Sequence, residues 1–164
     1  MRFEMNQISE IHLDYLEEEF FVVLPQKIND GFLFGYKFGL ASNAEGLVCL
    51  NISRIEKICQ KTKYLKKYPD NIEKIPKGLK EVSECQNLDE VIAKALKFGS
   101  FIEVNLKTGE GLKGILREID SEKNQVSLLT YDEYQSDFDG ITYFPYKSII
   151  DIKILLNKPF ISKD

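Results

Sequence analysis

Histidine occurs once in this sequence, at His12, and the three cysteines, Cys49, Cys59 and Cys85, show no C-x-x-C spacing. A structural zinc site draws on four Cys or His ligands, so no metal motif is legible. The odd number of thiols fits reduced cysteines rather than a disulfide frame. A lone histidine beside an apolar stripe is better placed for capping or for the surface than for general-base work. No Ser, Cys and His grouping suggests a nucleophile, and no glycine-rich loop ends in the Lys-Ser or Lys-Thr of a P-loop. The chain is therefore expected to be non-enzymatic, with no metal and no cofactor.

Recognition through charge is better represented. Asp132, Glu133, Asp137 and Asp139 fall within eight residues. The stretch Asp137-Phe138-Asp139-Gly140 has the look of part of a calcium loop, but it lacks the twelve-residue frame and the terminal Glu, which leaves a polar turn. Residues 59–80 hold seven lysines against Asp70 and Glu73, five net positive charges in a chain whose net charge is −4, so the remainder carries −9. A basic strip of this kind suits a polyanion contact or a solvated connector. Tyr64 and Tyr68 lie among its lysines and could stack on bases, or pack Leu65 against the fold.

The elements that position these groups read as mainly β. Residues 7–19 place Ile8, Ile11, Tyr15 and Leu16 at helical spacing, with Asn6 as N-cap. Short strands follow over 20–24, ending at Pro25, then over 32–40, 46–52 and 54–58. Pro69, Pro76 and Gly78 break any long element in the connector. Asn87 caps a second helix over 88–97, with Glu90 as its capping-box partner, an apolar stripe of Leu88, Val91, Ile92, Ala95 and Leu96, and Gly99 at the C-terminus. Alternation over 102–106 marks the next strand, followed by strands over 112–119, 125–130, 140–144 and 148–155. Both halves thus run helix, strand, glycine-containing turn and further strands. Gly31 and Gly35 match Gly109 and Gly114, and residues 53–58 match 148–153, the pattern of a divergent duplication.

Residues 102–128 read IEVNLKTGEGLKGILREIDSEKNQVSL. They resemble the first motif of the Sm-like family, which includes the bacterial host factor Hfq, through Leu106 and Gly109, then Leu112, Gly114 and Leu116, then Asp120 and Asn124. Gly109 permits a tight hairpin, Gly114 a sharp bend, and the side chains of Asp120 and Asn124 can bond turn amides. Tyr146-Lys147-Ser148-Ile149 is similar to the short second motif of Hfq, with Ser148 where that family has His. The resemblance covers the last 75 residues or so. It implies a small barrel preceded by a helix, with Asn124, Tyr146 and Lys147 on an RNA-binding surface.

Two tandem SH3-like or Sm-like barrels in separate curled sheets are therefore expected, each led by a short helix: 1–58, a basic connector over 59–86, and 87–164. Two functions are open. One is a protein-interaction module that meets a basic protein partner, of the kind an immunity protein neutralises, through Asp132, Glu133, Asp137 and Asp139. The other is an RNA-binding Sm-like protein that uses Asn124, Tyr146 and Lys147 with Lys63, Lys66 and Lys67. Self-association through edge strands fits either. No stretch of about 18 apolar residues offers a membrane span, and acids occupy the N-terminus where a secretory signal needs an apolar core, so a cytoplasmic location is expected.

Overall fold

The computed structural model describes residues 2–17, 19–68, 80–81 and 83–155. Among these, ten strands form one antiparallel sheet. The first half supplies β1 (Ser9–Leu13), β2 (Phe20–Asn29), β3 (Phe32–Phe38), β4 (Ala44–Asn51) and β5 (Ile55–Gln60). The second supplies β6 (Phe101–Leu106), β7 (Gly111–Asp120), β8 (Gln125–Asp132), β9 (Asp137–Pro145) and β10 (Ile149–Leu155). Across the sheet their order is β5-β1-β2-β3-β4-β10-β6-β7-β8-β9. The chain is mainly β, as expected.

Two expectations fail. The halves do not form separate sheets, because β4 pairs with β10, with Cys49 opposite Ile152 and Leu47 opposite Ile154. A bare edge strand presents a row of unpaired N–H and C=O groups, and here the two inner edges satisfy one another. Gly46 makes the approach feasible, since a Cβ there would strike the carbonyl oxygen of Ile154. Nor does the first half begin with a helix over 7–19. Residues Ser9–Leu13 form β1, with Ser9, Ile11 and Leu13 buried in strict alternation. Ile8, Ile11 and Tyr15 fit a helical period, but Ile11 and Leu13 fit a period of two. Hydrogen-bonded neighbours on both sides, β2 and β5, decide for the strand. Asn6 is no N-cap, because its backbone is left-handed (φ 57°) where a cap is extended.

A smaller correction concerns Pro25. It does not end β2, which runs on to Asn29. Pro25 stands beside a register shift between Pro25 and Lys27, one of the few sheet positions where a residue without an N–H is tolerated. Pro69, Pro76 and Gly78 of the connector lie outside the described residues.

The two halves repeat each other strand for strand. Each is ordered fifth, first, second, third, fourth, and each joins its fourth and fifth strands through one turn of 3-10 helix, Ile52–Arg54 and Tyr146–Ser148. The register shift between Pro25 and Lys27 recurs between Leu116 and Glu118. Phe32 opposite Asn51 answers to Gln125 opposite Pro145. This register corrects the glycine matching read from the sequence. Gly114 faces Ile102 where Val23 faces Ser9, and Leu128 takes the place of Gly35. Ile55 matches Ile149, so the match of residues 53–58 to 148–153 was one place out.

An α-helix, α1 (Leu88–Phe98), precedes β6. The Asn87 side chain accepts from the Glu90 N–H at 2.9 Å, and Gly99 closes the helix at φ 58°, as expected. The Glu90 carboxylate reaches back one residue further than a capping box, to the Gln86 N–H at 2.8 Å. Val91, Ile92 and Ala95 are buried, and Leu88 and Leu96 pack beside them. One hydrophobic core joins these to Leu24, Phe34, Tyr36 and Leu47 of the first half and to Ile102, Val104, Leu128 and Ile152 of the second. Leu65 and Tyr68, from the start of the connector, are buried in it as well. A second, smaller cluster of Ile11, Leu13, Phe21, Val23, Leu33, Val48, Leu50 and Ile55 belongs to the first half alone.

Candidate functional site

Strands β8 and β9 extend into a ribbon, with Tyr131 opposite Phe138 and Asp132 opposite Asp137. The acidic segment is therefore a paired hairpin with its turn at residues 133–136, and not a long loop. Aromatic packing stiffens it, since Tyr131 meets Phe101 edge-on at 5.6 Å and Phe138 at the same distance.

The four acids have different duties. The Asp132 carboxylate accepts from the N–H groups of Tyr134 at 2.8 Å and Gln135 at 3.3 Å, which pins the turn. Asp137 accepts from the Phe138 N–H at 2.7 Å. Glu133 pairs with Lys113. Asp139 is exposed beside Gly140, whose φ is 75°. Asp132, Glu133 and Asp139 line one concavity of about 400 Å³ with Glu103, Lys113, Tyr131 and Tyr134, and Asp137 stands outside it. Four carboxylates and one ammonium thus border the space, and the Tyr134 ring is fully exposed.

The second expected set also assembles. Asn124, left-handed at φ 50°, ends the β7–β8 turn. Its side-chain oxygen accepts from the Lys147 N–H at 3.2 Å, and its backbone oxygen accepts from the Tyr146 N–H at 3.1 Å. Asp120 holds the other end of that turn, accepting from the Lys123 N–H at 3.0 Å, a bond that holds its carboxyl below the ordinary value. Asn124, Tyr146 and Lys147 border a concavity of about 480 Å³ with Ile119, Asp89 and Glu122. The Tyr146 hydroxyl is bonded to Asp89, and burial followed by that carboxylate raises its pKa.

Lys63, Lys66 and Lys67 do not join this set. Lys66 and Lys67 lie on a 3-10 turn, Tyr64–Lys67, and Lys63 caps its start; the turn is anchored to the core by Leu65. The Lys67 ammonium already sits over the Tyr64 ring at 4.0 Å.

Sequence reasoning missed a buried polar network between the halves. Asp151, 1% exposed, takes hydrogen bonds from the Tyr15 hydroxyl and, at 2.8 Å, from the Asn105 side chain. Lys153, 5% exposed, pairs with Glu103 at 2.7 Å and lies 4.1 Å from the centre of the Phe21 ring. Polar residues alternating with Ile150, Ile152 and Ile154 look solvent-facing in a sequence. They are buried because β10 is a central strand.

Comparison with known proteins finds no matching family model, no matching curated protein and no matching solved structure. Among the described residues no helix is long and apolar enough to cross a membrane.

Proposed function

We propose that the chain is a non-enzymatic protein-interaction module that docks a basic segment of another protein against the β8–β9 hairpin. The supporting observation is the concavity where Glu103, Asp132, Glu133 and Asp139 meet the rings of Tyr131 and Tyr134. A lysine or arginine side chain gains there from charge-assisted hydrogen bonds and from a ring face together. A basic toxin met by an immunity-type protein is one partner of this chemistry. Each five-stranded half is read as a divergent copy of one small Sm-like barrel. That reading draws on the shared strand order and register shifts, and on the helix before β6.

The test is capture of partners from the native cell, followed by binding kinetics. Glu133→Gln with Asp139→Asn removes charge from the concavity and spares the turn-pinning Asp132. We expect association at low salt to slow by about tenfold, with little change in the off-rate. Adding Asp132→Asn and Asp137→Asn should extend the loss. Alanine at Lys63, Lys66, Lys67 and Lys147 should leave binding intact.

The gathering of Asn124, Tyr146 and Lys147 around one concavity favours a second reading, single-stranded RNA binding. Sub-micromolar, salt-sensitive RNA affinity lost on Lys147→Ala, with the hairpin variants unaffected, would establish it in place of the first.

Self-association through edge strands belongs to either reading. Among the described residues, β5 and β9 have one strand neighbour each. By the internal repeat they are the counterparts of β10 and β4, which pair. A second copy set on the first in the same way places β5 of one protomer beside β9 of its partner.

A further inference from the structure

Glu10 and His12 are two residues apart on β1, so their side chains leave the same face of the sheet. Cys59 on β5 stands directly opposite Glu10 in the antiparallel register and shares that face. One donor atom from each residue, a carboxylate oxygen, an imidazole nitrogen and the thiol sulfur, all lie within 4.8 Å of one another. His12 Nε2 is 3.9 Å from Glu10 Oε2, too far for a hydrogen bond. This nitrogen is wholly buried without a partner, the only such side-chain atom among the described residues. Buried polar atoms left unpaired are rare in native proteins, and this one is directed at a carboxylate and a thiol.

We propose that Glu10, His12 and Cys59 form a three-ligand site for a borderline-soft divalent cation of the zinc class. The donor set selects the ion. A thiolate with an imidazole disfavours magnesium and calcium, which take oxygen ligands, and suits zinc. Zinc accepts three protein ligands with water in the fourth position, at about 2.3 Å from sulfur and about 2.0–2.2 Å from nitrogen or oxygen. Tetrahedral geometry then sets donor atoms roughly 3.3–3.6 Å apart, so side-chain rotation of about an ångström closes the cluster. The surroundings orient two of the ligands, since the Thr62 hydroxyl bonds the other Glu10 oxygen and the Phe20 ring packs 5.2 Å from the imidazole. Lys57, opposite His12, is exposed, and its long side chain can extend to solvent. On binding, Cys59 gives up its thiol proton and the ion takes the sulfur lone pair. No sequence spacing announces this site, because sheet register, not a motif, brings β1 and β5 together.

The test uses the full, reduced, metal-stripped chain titrated with Zn²⁺ and, separately, Co²⁺. One ion per chain is expected, with a thiolate-to-metal absorption band in the cobalt form. His12→Gln and Cys59→Ser should each weaken zinc binding by more than about 100-fold, beyond the roughly 10–100-fold that loss of an outer-shell partner brings. Zinc should also slow alkylation of Cys59 in the unaltered chain, mapped by mass spectrometry, a readout that needs no variant to fold. Zinc binding indifferent to both substitutions, a cobalt form without the thiolate band, or Cys59 labelling at the same rate with and without zinc overturns the proposal.

Discussion

Gly114 shows how one residue can be legible in type and misread in cause. Its place in the sequence predicts a bend where a side chain would crowd a barrel interior. In the structure its φ is 158°, and a Cβ would collide with the Leu129 carbonyl oxygen on the neighbouring strand. Backbone atoms cannot step aside as a side-chain end can. Gly114→Val should therefore cost about 2–4 kcal/mol, read from the denaturant midpoint, and an unchanged midpoint would place the residue in open space. Asp151 gives the opposite lesson, since no local pattern marks it. Burial raises its carboxyl above the ordinary value, although Tyr15, Asn105 and Lys153 pull it down. The folded state holds this proton more tightly than the unfolded chain. Stability from this group is full below the unfolded carboxyl value and falls as pH rises through the higher folded value. Asp151→Asn removes that fall, so wild type should lose ground to the variant between acid and neutral pH. Denaturant midpoints across that range check it, and a constant difference would refute it.

At the scale of elements, the strands and α1 were readable because their signals are local. Alternation marks residues 102–106, and Asn87 and Gly99 bracket α1 as caps do. The misreadings came where two periods coexist or where pairing decides. Ile8, Ile11, Tyr15 and Leu16 satisfy a helix, and only the presence of β2 and β5 on either side tips residues 9–13 to strand. Likewise the acids from Asp132 to Asp139 look like a loop until Tyr131 and Phe138 are seen to pair. The candidate site inherits this division. Asn124, Tyr146 and Lys147 come together from the sequence only through the resemblance to the Sm-like motifs, and one hairpin and one 3-10 turn hold them in the structure. Glu103 and Tyr134 joined the acidic concavity unannounced, since Glu103 arrives from β6, a strand away in sequence and in space.

At the scale of the molecule, the two end strands, each with one strand neighbour among the described residues, carry a measurable consequence. On β9, Ile141 is 49% and Tyr143 61% exposed, apolar surface on an edge that charged residues usually guard. Transposing the β4–β10 register onto the free edges sets Ile58 of one protomer opposite Tyr143 of its partner. Sedimentation velocity should show concentration-dependent association, and Ile141→Lys with Tyr143→Lys should abolish it. A chain that is monomeric at every concentration would remove this assembly. The inner join has a consequence in time. β10 is the last strand along the described chain, and it alone covers the edges of both β4 and β6. A ribosome adding roughly 5–20 residues per second finishes β4 about 5–20 s before β10 emerges. Through that interval the first half waits with Leu47, Val48 and Cys49 on a bare edge, which makes nascent chains halted short of β10 the natural clients of a holding chaperone.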